Sequence, residues 1–334
     1  MLYLARTNPS LVGKESGRSG QKFERKGRRS DDSGSLSGLH ERTSKRYLHR
    51  ANKKRIYNVY VPRRYKHGKP VPLIMVLHGC RQTQHDIREI TGFNALADKH
   101  NFIVVYPFVT HYNDLRTRNC WGWWRPEHIK TGSGEVEDLR CIVQEVSQEF
   151  TINEKRIHIT GLSSGAGMTV AALTAHPGLF ASGAACAGLP YGERASAVNT
   201  AFTPGDVFRP IDTIVKMMGK VRNGDQTAVP LLVVHSHQDE TVNIQAGHNL
   251  RDSWLVFHGF DRKRHARSVK YRYDKGTPWV HTKYGRWLRK SVVETIFLEG
   301  PGHGWYGGNE GEFSFPQGPD ISRLIWKFFK RHAL

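Results

Sequence analysis

Cysteine is scarce in this chain, with four among 334 residues. That excludes a small fold held together by a dense disulfide framework. No Cys-x-x-Cys pair or His/Cys metal spacing occurs, so no structural zinc or other metal is expected. No apolar run approaches the ~18 residues needed to cross a bilayer, so no membrane span is expected. The opening residues, MLYLARTNPSLVGK, lack the continuous apolar stretch and cleavage site of a secretory signal. Acidic residues are also in short supply: 30 Asp and Glu face 50 Lys and Arg, for a net charge of +20.

The excess charge is unevenly placed. Before Ile56 there are fifteen Lys and Arg against five Asp and Glu, in a Ser/Gly-rich stretch with little periodicity. Residues 1–52 are therefore expected to be a disordered basic extension, and residues 53–334 a single folded domain. A second basic stretch runs from Arg262 to Lys290. Such runs are most often solvated faces; the functional alternative is weak attraction to an anionic surface. Nucleic acid is not an expected partner, and oligomeric state is not legible.

Within 53–334, apolar segments alternate between period 2 and helical period. Strands are expected at 54–62, 72–77, 101–107, 156–161, 179–188, 231–234 and 292–299. Helices are expected around 93–98, 134–149, the run after Gly165 carrying Met168, Val170 and Leu173, and 243–258, with a basic hairpin at 269–287. Strands alternating with helices predict an α/β fold with a mostly parallel central sheet covered on both faces. Cys141 and Cys186 fall in apolar patterns and read as core residues.

The segment RIHITGLSSGAGMTVAALTAHP (156–177) is a strand, a sharp turn and a helix with Ser163 at the apex. Flanking Gly161 and Gly165 permit the tight turn that lifts the hydroxyl above a sheet end. In a chain with 33 glycines the string is weak by itself. It gains weight because an acid and a base follow in the order such hydrolases use. Asp239 follows the strand 231–234, and His303 sits in a Gly-rich loop after the strand 292–299. Both lie past C-terminal strand ends, where open α/β sheets place their sites. Ser163 is thus the expected nucleophile, His303 its base and Asp239 the acid that orients the base. The expected oxyanion donors are the amides of Ser164 and Cys80, the latter in the His78-Gly79-Cys80 loop. No cofactor is required.

Five motifs in order carry a family resemblance: His78-Gly-Cys-x-Gln-Thr83, Asn119-Cys-Trp-x-Trp-Trp124, Gly161-Leu-Ser-Ser-Gly165, Gly188-Leu-Pro-Tyr191, and Gly302-His-Gly-Trp305 with Gly307-Gly308. Across roughly residues 54–332 the chain resembles the poly(3-hydroxybutyrate) depolymerase-type esterases, α/β-hydrolases related to feruloyl and acetylxylan esterases. The resemblance implies the triad and oxyanion roles above and a disulfide between Cys80 and Cys120. It implies a hydroxyalkanoate polyester or its oligomers as substrate, with a carbohydrate ester as the alternative. A non-catalytic polymer binder is the distant third. The resemblance points to an extracellular enzyme, the missing leader to the cytoplasm. Two features depart from the family: His235-Ser236 stands where His-Gly is common, and 262–290 is unusually basic. Trp121, Trp123 and Trp124 are expected to contribute at least one ring to the substrate pocket. His78 and Trp305, beside the oxyanion and base candidates, are placed there too.

Overall fold

Five strands of this chain are buried along nearly their whole length and a sixth over its last six residues, the signature of a parallel sheet covered on both faces. In the computed structural model, which describes residues 36–44, 55–109, 119–198 and 207–334, they form the centre of one ten-stranded sheet. The strands are β1 (Gly38–Thr43), β2 (Ile56–Val61), β3 (Val71–Leu77), β4 (Ile103–Pro107), β5 (Ile152–Leu162), β6 (Ser182–Cys186), β7 (Leu231–Ser236), β8 (Ala266–Asp274), β9 (Thr277–Tyr284) and β10 (Val293–Leu298). Their order is β1-β2-β4-β3-β5-β6-β7-β10-β9-β8. The central run from β4 to β10 is parallel, and two antiparallel strands extend each edge.

Alternation along each strand divides the core. Leu73, Met75, Leu77, Ile159 and Val233 face α3 (Gly134–Glu149), α4 (Ser164–Ala175), α5 (Ile211–Arg222) and α6 (Ile244–Phe257). Ile74, Val76, Val104 and Val234 face α1 (Gln84–Thr91), α2 (Phe93–His100) and α8 (Ile321–Phe329). A short helix, α7 (Arg262–His265), precedes β8, and β11 (Trp305–Tyr306) pairs with β12 (Ser314–Phe315). Helix α4 is buried throughout. Its small residues are dictated by close packing: a Cβ on Gly167 would lie 2.8 Å from the Trp123 ring.

The central strands end nearly flush. Leu77 pairs with Gly161, Leu162 with Cys186, and Ser236 with Leu298. The loops that leave these ends therefore gather at one rim. Among the described residues, no helix is long and apolar enough to cross a membrane.

The expected boundary at residue 52 moves. Gly38–Thr43, assigned from composition to the disordered extension, pairs antiparallel with β2 from Gly38–Val61 to Thr43–Ile56. Half of its positions are exposed, so apolar periodicity does not mark it. Backbone pairing, the Arg42–Glu149 ion pair at 2.6 Å and the Ser44 hydroxyl donating to Glu145 at 2.9 Å hold it instead. The rest of the expected extension, 1–35 and 45–52, lies outside the described residues. The basic hairpin is present as β8 and β9, and Cys141 and Cys186 are buried in the core.

Candidate active site

Strand β5 runs into α4 through Ser163, whose φ of 56° and ψ of −118° are unusual for a residue with a side chain. The turn is over-determined by its neighbours. The Ser163 amide donates to the Cys186 carbonyl at 2.9 Å, and the Gly167 amide donates to the Ser163 carbonyl at 3.0 Å. A Cβ on Gly161 would lie 2.5 Å from the Gly165 backbone, and one on Gly165 would lie 2.5 Å from the His78 carbonyl oxygen. Only glycine fits at either position, so the serine is forced out at the rim. Ser164 is the first residue of α4, and helix geometry leaves its amide without an intrahelical acceptor. The helix dipole adds positive potential at that point.

Asp239 and His303 meet across the rim. His303 Nδ1 lies 2.8 Å from Asp239 Oδ2, with both side chains buried. The other carboxylate oxygen accepts the amides of Thr241 at 3.0 Å and Val242 at 2.8 Å, which fixes its direction. His235, fully buried, donates Nε2–H to the Val242 carbonyl at 2.7 Å; burial holds its pKa below the ordinary imidazole value. Its neighbour Ser236, the residue that departs from the family pattern, donates its hydroxyl to the Gly300 carbonyl at 2.8 Å and accepts the Gln238 amide at 3.1 Å. It thereby ties the end of β7 to the start of the His303 loop. Tyr306 clamps that loop further: its hydroxyl donates to the Gly302 carbonyl at 2.7 Å and accepts the Gly302 amide at 3.1 Å.

The loop after β3 is equally constrained. His78 Nδ1 lies 2.8 Å from the Gly79 carbonyl oxygen, and its Nε2 accepts the Val109 amide at 3.1 Å. These bonds define a neutral ring carrying its proton on Nδ1, and burial lowers its pKa to about 4. Gln82 Oε1 accepts the Gly79 amide at 2.8 Å, and Trp121 Nε1–H donates to the His78 carbonyl at 3.0 Å. Cys80 and Cys120 are disulfide-bonded, as the resemblance implied.

A cleft of about 260 Å³ collects these parts. Ser163, His303 and Cys80 all line it, together with Arg81, Gln82, Leu162, Val198, Thr241 and Phe313. The expected pocket residues are elsewhere. Trp121, Trp123 and Trp305 are buried in the core, Trp124 packs edge-on against Trp123, His78 is fully buried under the loop, and none of the five lines the cleft. Trp121 packs beside His78 and Trp123 against Gly167 of α4, whereas Trp305 packs on the other face of the sheet, against Phe93 and with its indole N–H donated to Ser322 at 2.9 Å. Sequence reasoning missed Arg81, Gln82, Thr241 and Phe313. Of these only Gln82 carried a signal, its place in the His-Gly-Cys-x-Gln motif. Arg81 has φ 68°, pairs with Glu312 at 2.9 Å and lies 5.7 Å from the Phe313 ring centre.

Comparison with known proteins adds kinship to this geometry. Residues 56–275 match the family described as Esterase PHB depolymerase. The chain is similar to poly(3-hydroxyalkanoate) depolymerase C of Paucimonas lemoignei, 30% identical over 253 residues, covering 72% of this chain and 58% of that protein. It is also similar to feruloyl esterase B of Neurospora crassa, 30% identical over 147 residues, covering 43% of this chain and 48% of that one. The chain thus spans only about half the length of these curated relatives. In fold it resembles an acetyl xylan esterase from Aspergillus awamori, with a TM-score of 0.70 at 17% identity over 88% of this chain and 99% of that one. That likeness identifies the fold as an α/β-hydrolase.

Proposed function

Because the chain belongs to the Esterase PHB depolymerase family, we propose that it is a serine esterase that cleaves carboxylic esters through an acyl-enzyme. The observation that carries this reading is one cleft lined by Ser163 and His303, with His303 Nδ1 held 2.8 Å from Asp239. In the proposed reaction Ser163 Oγ attacks the ester carbonyl as His303 Nε2 takes its proton. Asp239 keeps the imidazole in the useful tautomer and stabilises the imidazolium. The amides of Cys80 and Ser164 receive the negative charge that develops on the carbonyl oxygen. His303 then protonates the departing alcohol, leaving the acyl group on Ser163. Water, deprotonated by His303, attacks that acyl group; the carboxylic acid leaves and Ser163 regains its proton.

The leading substrate class is a hydroxyalkanoate polyester or its oligomers. The depolymerase relative supports this over the carbohydrate esterases by identity: across 253 residues it is 30% identical, against 22% for an acetylxylan esterase of Aspergillus ficuum over the same length. The cleft suits a short acyl unit: 260 Å³ lies just under the roughly 300–1,000 Å³ of pockets that enclose drug-sized ligands. Purified protein would be assayed on p-nitrophenyl butyrate, hydroxybutyrate oligomers, acetylated xylan and methyl ferulate. Oligomer hydrolysis that disappears in Ser163→Ala is the expected result. Wild-type rates in Ser163→Ala would end the mechanism, and preference for xylan or ferulate would move the substrate to the carbohydrate class.

A further inference from the structure

Residues 262–290 contain eleven Lys and Arg against one acidic residue, about half of the net charge of the whole chain. They also contain its most exposed large apolar side chains among the described residues: Leu288 at 92%, Tyr271 at 81% and Trp287 at 77%. Leaving Trp and Leu together in water is unfavourable, and the chain builds a turn that does so. Leu288 adopts φ 63°, a left-handed conformation disfavoured for a branched side chain. The turn is pinned on several sides. Arg267 donates to the carbonyls of Arg286 at 2.6 Å and Arg289 at 2.5 Å. The Arg289 amide donates to Arg286 at 3.2 Å, the Gly285 amide to His265 at 3.0 Å, and the Val292 amide to Tyr284 at 2.9 Å. Trp287 and Leu288 form the apex, with Arg286, Arg289 and Lys290 beside them and α7, with Arg262, Lys263 and Arg264, hydrogen-bonded at the base.

We propose that the 285–292 turn and α7 together form a docking site for an anionic phospholipid surface. An exposed Trp-Leu apex ringed by cations matches a boundary with negative headgroups outside and hydrocarbon beneath. Trp and Leu occupy the interface while Lys and Arg remain with the headgroups. A purely polyanionic partner needs the cations and leaves the aliphatic Leu288 unexplained. Topology gives the site a direction. The turn joins the end of β9 to the start of β10, and Tyr284 pairs with Val293. It therefore lies at the opposite end of the parallel strands from Ser163, Asp239 and His303. A protein docked this way turns the mouth of its cleft toward solvent.

The test uses the full chain in vesicle flotation, with phosphatidylcholine alone and with roughly one-quarter phosphatidylserine. The expected result is binding to the anionic vesicles only, with Trp fluorescence quenched by brominated acyl chains. Trp287→Asp/Leu288→Asp should weaken binding at least about tenfold and abolish the quenching, while its melting curve stays at wild type because both side chains are solvent-exposed. Unchanged binding in that variant would overturn the proposal, since the basic residues ahead of Ile56 would then account for it by charge alone. Equal binding to phosphatidylcholine alone would also overturn it. So would binding to single-stranded polynucleotide that falls by the same factor in the variant, which would assign the apex to base stacking.

Discussion

Removing the Cys80–Cys120 bridge should act on stability and catalysis at once, and the two effects can be sized separately. The cysteines are 40 residues apart in sequence. Closing a loop of that length in the unfolded chain corresponds to about 4 kcal/mol in the entropy model, with measured bridges commonly giving about 2–4. For a fold of this size each kcal/mol shifts Tm by about 2 °C, so Cys80→Ala/Cys120→Ala should melt about 4–8 °C lower. The catalytic effect arises because Cys80 lines the cleft and its amide is the proposed oxyanion donor. Losing a donor outright typically costs about 10²–10³ in rate. Here the amide remains and loses one of its restraints, while His78, Gln82 and Trp121 still hold the loop. A fall in kcat of about tenfold follows, with KM within about twofold, because the donor acts on the transition state more than on bound ester. The assay is steady-state hydrolysis of a soluble p-nitrophenyl ester beside calorimetric melting, on the double variant and on protein reduced with dithiothreitol. A variant that melts lower with full kcat would show that the bridge stabilises the fold without restraining the donor. Unchanged Tm and kcat together would refute the reasoning entirely.

Three further outcomes are expected. Gln82→Leu removes the acceptor of the buried Gly79 amide, so kcat should fall about 10- to 100-fold with about 1–3 kcal/mol of stability lost; an unchanged kcat would mean Gln82 does not shape the loop. Tyr306→Phe deletes both bonds to Gly302 and should lower kcat about tenfold at nearly constant KM, read by the same assay. Stability should fall with acidity. Burial lowers His78, His248, His258 and His332 to about 4 and His158 to about 3. Below about pH 6.5 the unfolded chain takes up protons that the folded chain refuses. Stability present above pH 6.5 is therefore lost as pH falls toward the folded values, by up to about 1.4 kcal/mol per pH unit for each such ring. A Tm that holds steady or rises from pH 7 to pH 5 would contradict this.

The elements easiest to read were those whose residues answer to a local rule. Unbroken apolar stretches such as Leu231–Val234 could only be buried parallel strands, and Gly161 and Gly165 around Ser163 announced a turn that excludes any Cβ. Chain order then singled out Asp239 and His303, because each follows a strand that ends at the same rim. Edge strand β1 escaped because its pairing with β2 is a backbone matter, and its exposed side chains resemble those of a solvated tail. The tryptophans misled for a related reason: their large apolar area demands burial, and composition does not say whether a core or a cleft supplies it.

What the sequence determined by itself was therefore the chemistry available: a serine on a strained turn, a histidine and an aspartate in order, and a sheet that brings their loops to one edge. Only the tertiary structure decided which groups hold that chemistry in place. The Ser236 hydroxyl and the His78 ring act through hydrogen bonds of 2.8 and 3.1 Å between loops far apart in the chain, while Tyr306 and Gln82 close their own loops through bonds of 2.7 and 2.8 Å. A hydrogen bond of that kind depends on distance and direction between two backbones, and local residue patterns encode neither.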